Sequence, residues 1–566
     1  MFLFDWFRSY LPLHNPIGFG AVDFLELALA LLGIALVLLR ARLQAAARRF
    51  AEHTGACMLV LALLPAALRL ALLWRFPAPA ASGADDFSYL LLADTLRHFR
   101  LANPTHSLHR FFEAVFVLQQ PTYSSIFPMG QGLALALGWT LFGHPWAGVV
   151  LSVSALCALS YWMLRAWTTP GWALTGGLLA VAIYGPLNQW MNLYWGGAVS
   201  ASAGCLIFGA LPRLKEGWRA RDAVLLGVGM GIQVLSRPYE SLFVGIAAAV
   251  FLGKDGFRMP AARRAAAIAA LAFLPALLLI LAQNRQVTGS FTMLPNQLSR
   301  YQYGIPAAFT FQPNPEPHRA LTGEQDLDYR AQAAVHDEAL ELGFPGRLLT
   351  RVRFYRFFFP APLYLALPAF LLAFRQWRYL WVALAILLLA LGSNLYPYFY
   401  PHYIAAAACL FLLAGVTALD RLSRVPWLAA AAPIILLLCA FQFLFWYGVH
   451  LAGNDRTLLT MARYESADFI DYGDPDGRIA VGRRLAEAPG KQLVFVRYSA
   501  GHMFHEWIRN AADPDAAPVV WAADLGADEN EKLRSYYPDR TIWLVEPDAR
   551  PPLLIPYGQA PSPRVE

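Results

Sequence analysis

The chain has 566 residues, 57% of them hydrophobic and 15% charged, with a mean hydropathy of +0.42. That is too apolar and too long for one soluble core, and it indicates a polytopic membrane protein. The formal charge of +7 is unevenly spread: short segments between apolar runs are basic, whereas residues 450–566 carry 13 Lys and Arg against 18 Asp and Glu, so nucleic acid is not expected as a partner.

Apolar runs of spanning length, about 20 residues, start at 22–40 and 56–74. Arg40, Arg42, Arg48 and Arg49 lie between them and place that connection in the cytoplasm. Residues 75–129 then form a first outer loop with four basic and four acidic residues. The next run, 130–142, is too short to cross about 30 Å of hydrocarbon at about 1.5 Å per residue, so it lies on the outer surface or re-enters. Runs at 147–165, 172–187 and 196–211 lead inward, outward and inward to Arg213, Lys215, Arg219 and Arg221. Three more, 222–236, 239–253 and 265–283, end at a long outer loop, 284–353, having passed Lys254, Arg258, Arg263 and Arg264 on the inside. The last four, 354–374, 379–395, 403–419 and 427–447, are separated by Arg375 and Arg378, then by an outer aromatic turn, then by Arg421 and Arg424. This predicts about twelve transmembrane helices with the N-terminus outside. The first twenty residues, with Asp5 and Arg8 and no continuous apolar stretch, do not read as a cleaved leader.

At about residue 450 the composition changes. Three β-rich runs, Gln492 to Tyr498, Pro518 to Trp521 and Thr541 to Glu546, flank a helical stretch from Asp528 to Tyr537 and predict a small three-layer α/β lobe. The expected division is therefore a membrane module, 1–449, and an acidic outer lobe, 450–566. Cys57, Cys157, Cys205, Cys409 and Cys439 all fall in apolar runs without metal-ligand spacing, so neither a disulfide nor structural zinc is expected.

The residues that point to chemistry lie on the predicted outer face. Asp85 and Asp86 open a helix-like run; such carboxylates cap a helix start, or serve as a general base and as ligands for a divalent cation, Mg or Mn. Arg237, at an outer helix end before Pro238, is either an interfacial residue paired with Glu240 or a planar fork for a phosphate, with Tyr239 and His402 as companions. His106, His109, Glu113, Gln120 and Tyr123 in the first outer loop, with Tyr194 and Glu240, are candidate acceptor or pocket residues. Solvated loop positions and an ordinary interfacial belt of Trp and Tyr account for many of the same residues. Arg69 reads as a snorkelling residue near an outer helix end.

An acidic pair in the first large outer loop, then Phe127-Pro128-Met129-Gly130-Gln131-Gly132, then Leu141-Phe142-Gly143, resembles the GT-C superfamily of integral-membrane glycosyltransferases, nearest its bacterial protein O-mannosyltransferase and aminoarabinose-transferase branch. The resemblance covers about residues 22–420 and leaves out the acidic lobe. It implies an all-α polytopic GT-C-like fold, with the lobe as an α/β addition. It also implies transfer of a sugar from a polyprenyl-phosphate-linked donor, at the periplasmic face of a bacterial inner membrane, to a glycolipid, polysaccharide or protein acceptor. Asp85 or Asp86 would be base or metal ligand. That branch commonly has Lys-Pro-Pro after the loop, where this chain has Ile126-Phe127-Pro128-Met129, so Arg237 would stand in for the lysine on the lipid phosphate. A transporter or lipid flippase, and a non-catalytic envelope assembly factor, are the rival classes.

Overall fold

A computed structural model describes residues 21–253, 259–453 and 476–559. The membrane module begins with α1 (Ala21–Ala51) and α2 (Thr54–Ala71). The first outer loop folds into α3 (Ala84–Arg97), a 3-10 turn (His109–Phe112) and an antiparallel pair, β1 (Val117–Leu118) with β2 (Ser124–Ser125). Then follow α4 (Met129–Phe142), α5 (Trp146–Leu164), α6 (Pro170–Tyr184), α7 (Ala198–Gly217), α8 (Ala220–Ser236), α9 (Pro238–Leu252) and α10 (Pro260–Thr288). The long outer loop carries α11 (Pro295–Tyr303) and α12 (Gly323–Arg351). After them come α13 (Trp377–Ser393), α14 (Ala408–Ser423) and α15 (Ala431–Ala452).

By length and composition, five helical segments among the described residues can cross a membrane, and four shorter apolar helices accompany them. Their burial separates inner from outer. The segment Pro401–Ser423 is 94% buried in the protein and is the central strut, whereas Pro260–Thr288 is only 11% buried and turns Leu271 and Leu278 outward. A chain whose outermost surface is that apolar is built for lipid contact. Around the strut, Trp167 and Trp381 stack at 5.9 Å within one continuous apolar core.

One expected crossing takes another form. The run 354–374 is three 3-10 segments, Val352–Phe358, Ala361–Leu365 and Leu367–Ala373. Pro360, Pro362 and Pro368 each remove an amide donor and crowd the preceding turn, which breaks a continuous α-helix. Arg69 also departs from expectation: it is 1% exposed and donates to Asn192 Oδ1 and the carbonyls of Phe76 and Pro77, so it fastens the loop entry instead of reaching for the interface.

The C-terminal lobe holds α16 (Arg478–Glu487), β3 (Lys491–Val496), β4 (Val519–Ala523), α17 (Ala527–Tyr536), β5 (Arg540–Glu546) and β6 (Leu553–Pro556). The sheet order is β4-β3-β5-β6, with β3 parallel to β4 and β5, and β6 antiparallel at the edge. Val494, Val496 and Val545 bury against Val481 and Leu485 of α16. On the other face Leu493, Phe495 and Leu544 bury against Leu533 of α17 and also against Phe111 and Phe112 of the first outer loop. The three layers expected from sequence are therefore present, but the loop supplies part of one of them. All five cysteines are buried and free.

Candidate active site

The acidic pair sits in the first turn of α3, where the exposed amide ends of a helix favour negative charge. The two carboxylates have different surroundings. Asp86 is 2% exposed and both its oxygens are engaged: Oδ1 accepts the Tyr194 amide at 3.0 Å and Oδ2 the Ser82 amide at 3.3 Å. Burial pushes its pKa up to about 6, opposed by those amides and by the positive Arg478. Asp85 remains partly exposed. Burial, reinforced by the neighbouring Asp86 charge, pushes its pKa up to about 7, while the Arg237 guanidinium pulls it down.

Arg237 owes its place to a break between two helices. α8 ends at Ser236, and Pro238 at the first position of α9 forces the residue before it out of helical geometry, so Arg237 lies at φ −143° and ψ 79°. Its amide closes α8 on Gln233 O at 2.7 Å, and its carbonyl accepts the Ser241 amide at 3.1 Å. The guanidinium lies 4.9 Å over the Tyr403 ring and forms no ion pair among the described residues. α4 reaches this corner because Gly130 has no side chain: a Cβ there would stand 2.1 Å from Ser236 Oγ. Its neighbour Gln131 donates to Tyr194 O at 2.7 Å, which fixes the segment whose amide holds Asp86.

The turn after α13 closes the cluster. Asp85 acts on Tyr398, Tyr400 and Tyr403, and Arg237 acts on Tyr396 and Tyr403. His402 is buried, with its ring 4.7 Å from that of Trp195 and stacked on Tyr400 at 5.6 Å. Glu240 is buried beside Arg237 and Tyr396. Tyr239 donates to Gly392 O at 3.0 Å and packs on Phe309 of the long loop, so it braces this corner from behind. Arg300 of α11 enters from the long loop facing Tyr398 and Tyr396; its Nε is buried without a hydrogen-bond partner, and it too forms no ion pair among the described residues. Arg237, which feels the buried Glu240 and Asp85 without a close ion pair among the described residues, and Arg300, set against the same tyrosine turn, can together receive an anion. Sequence reasoning missed Arg300, whose buried Nε, unpartnered among the described residues, shows only in three dimensions.

Asp85, Asp86, Tyr194, Arg237, Glu240 and His402 are thus brought together. The first-loop candidates are placed elsewhere. His106 packs on Phe112 and Tyr536 and meets Asp515 of the lobe at 3.4 Å. Tyr123 donates to Asn510 O at 3.1 Å. Glu113 accepts from Tyr303 at 2.8 Å and pairs with Arg319, while His109 meets Gln120, whose carbonyl accepts from Gln302. These five fasten the first loop to the lobe and to the long loop. Among the described residues no group of three or more His, Cys, Asp or Glu is arranged to hold a metal, and both Asp86 oxygens already accept amides.

No protein-family model matches the sequence, and no curated protein matches it. Among solved structures the chain is similar to ArnT from Cupriavidus metallidurans in the apo state, at 13% identity and a TM-score of 0.49 over 86% of this chain and 92% of that one. It is likewise similar to ArnT bound to undecaprenyl phosphate, at 12% identity and a TM-score of 0.46 over 86% and 92%. A third neighbour is the apo Archaeoglobus fulgidus oligosaccharyltransferase, at 13% identity and a TM-score of 0.41 over 87% and 69%. At such scores the likenesses carry no functional argument.

Proposed function

We propose that this protein transfers a sugar from a polyprenyl-phosphate-linked donor to an acceptor hydroxyl at the periplasmic face of a bacterial inner membrane. The observation that carries this reading is the meeting of Asp85, poised near neutral pH, with Arg237, and the approach of Arg300 to the same tyrosine turn, neither arginine forming an ion pair among the described residues. A base with that pKa suits proton removal from a hydroxyl at working pH. The acceptor oxygen attacks the anomeric carbon as the bond from that carbon to the phosphate oxygen breaks. The acceptor proton passes to Asp85, and the lipid phosphate departs carrying the electron pair of the broken bond, held by Arg237 with Arg300 beside it.

Asp86 has a different part. Its two amide bonds keep the first turn of α3 in register with the Tyr194 segment and so aim Asp85. The Tyr396 to Tyr403 turn lines the same place with rings suited to the faces of a sugar. Membrane lipid and the lipid-linked donor are the expected partners, together with an acceptor whose class is left open.

The test is incubation of purified protein with polyprenyl-linked hexoses and pentoses, sugar release being followed by mass. Release by the wild type and none by D85N is the expected result. No release by the wild type across those donors overturns the reading and favours a transporter or an assembly factor.

A further inference from the structure

A side chain of the C-terminal lobe bonds to the foot of α3, the helix that carries Asp85. Arg478, at the start of α16, is 2% exposed, and its guanidinium spans two parts of the chain. Nη1 donates to Glu506 O at 2.5 Å inside the lobe, and Nη2 donates to Ser82 O at 3.2 Å at the foot of α3. The same group lies 4.5 Å over Trp507 of the lobe and 5.3 Å over Phe87 of α3. Ser82 is the residue whose amide holds Asp86 Oδ2. Beside it, Gly83 forms an antiparallel bridge with His505, and Arg509 lies 5.2 Å over the other contact of Arg478, Phe87.

We infer that Arg478 is a positioning residue, through which the lobe sets the first turn of α3 and thereby the aim of Asp85. This rests on the reading of the site as a transferase centre. The path is short and made of directional bonds: Arg478 to the Ser82 carbonyl, the Ser82 amide to Asp86, and Asp86 to its neighbour. Position 83 is glycine and has no side chain to cap α3, so that start is held by Asp86 within the first turn and by contacts from outside the helix. An arginine fork that donates to backbone carbonyls on both sides ties that start to the lobe from outside the helix.

The experiment uses the full-length protein and the donor found active above, with kcat and donor KM measured for wild type, D85N, R478M and R540M. Arg540 is the control: it is a buried lobe arginine of similar kind whose bonds go to the carbonyls of Gln492, Ala517 and Asp515, all within the lobe. A slight misplacement of a reacting group costs on the order of a hundredfold in rate. R478M is expected to lower kcat about tenfold to a hundredfold with donor KM within about twofold, and R540M to leave both near wild type. A wild-type kcat in R478M overturns the inference, as does an equal loss in R540M, which would mark a general need for an intact lobe. Failure of the transferase reading looks different, because the wild type would then release no sugar or D85N would match it.

Discussion

The Tyr194 amide donates to Asp86 Oδ1 at 3.0 Å across 108 residues of sequence, and this bond decides which carboxylate of the adjacent pair is available for chemistry. A buried carboxylate that accepts two amides has its lone pairs committed, and its removal leaves both donors unsatisfied. Asp85 has no such commitment.

Two isosteric substitutions therefore separate the roles. D85N is expected to lower kcat by about 10²- to 10⁴-fold, the contribution of a general base, with an unchanged melting temperature. D86N keeps one acceptor oxygen but turns an N–H toward the other amide, so it lowers the melting temperature, at a cost of about 1.5–3 kcal/mol, as well as kcat. Thermal unfolding in detergent and single-turnover sugar release measure the two effects.

The pH dependence follows from the same pair. Asp85 must be ionised to accept a proton, and its pKa is pushed up to about 7, so kcat should fall as pH drops through about 7. The neighbouring Asp86 charge contributes to that rise, so neutralising it in D86N moves the acid limb to lower pH. A limb that stays in place in D86N contradicts the electrostatic coupling of the pair.

Much of this site was legible in the chain. Gly83-Ala84-Asp85-Asp86 announces a helix start, and Ser236-Arg237-Pro238 announces a break, because proline bars the helical conformation from the residue before it. Crossing parity then brought both to one face. His106, Glu113 and Tyr123 were beyond such reasoning, since their partners Asp515, Arg319 and Asn510 lie about 200 to 400 residues away and leave no local mark. The lobe strands were read close to their observed bounds from β-branched and aromatic runs. Edge strand β6, only four residues between prolines, carried too little pattern, and the same brevity of signal hid the proline-broken segment at 352–373.

The two arginines should differ in their effects on the donor. Arg237 is fixed between two helices and feels Asp85 directly, whereas Arg300 comes from the long loop. R237Q is expected to weaken donor binding by about tenfold or more, the scale of one charge-assisted hydrogen bond, and to lower kcat because the phosphate gains charge as it departs. R300Q is expected to raise donor KM with a smaller change in kcat. Inhibition by a polyprenyl phosphate lacking sugar reports the same order of affinities without turnover. Equal inhibition of wild type and R237Q would remove Arg237 from the phosphate site.

A final prediction concerns the clamp between α12 and the lobe. The Asp328 carboxylate accepts the Phe504 amide at 2.9 Å, and Glu324 lies 3.8 Å from His502, which bonds to Asp548 at 2.7 Å. Burial, with Glu506 and Asp328 nearby, pushes the Glu324 carboxyl well up. A carboxyl whose folded pKa exceeds its unfolded value of about 4.3 holds a proton in the native state that the unfolded chain has released. Its contribution is therefore fully present below pH 4.3 and is lost as pH rises toward the folded pKa, at up to about 1.4 kcal/mol per pH unit. Glutamine imitates the protonated acid. E324Q should raise the melting temperature at pH 8, leave it nearly unchanged at pH 5, and flatten the pH slope between them; an E324Q protein less stable than wild type at pH 8 would show that Glu324 is held as a carboxylate by His502.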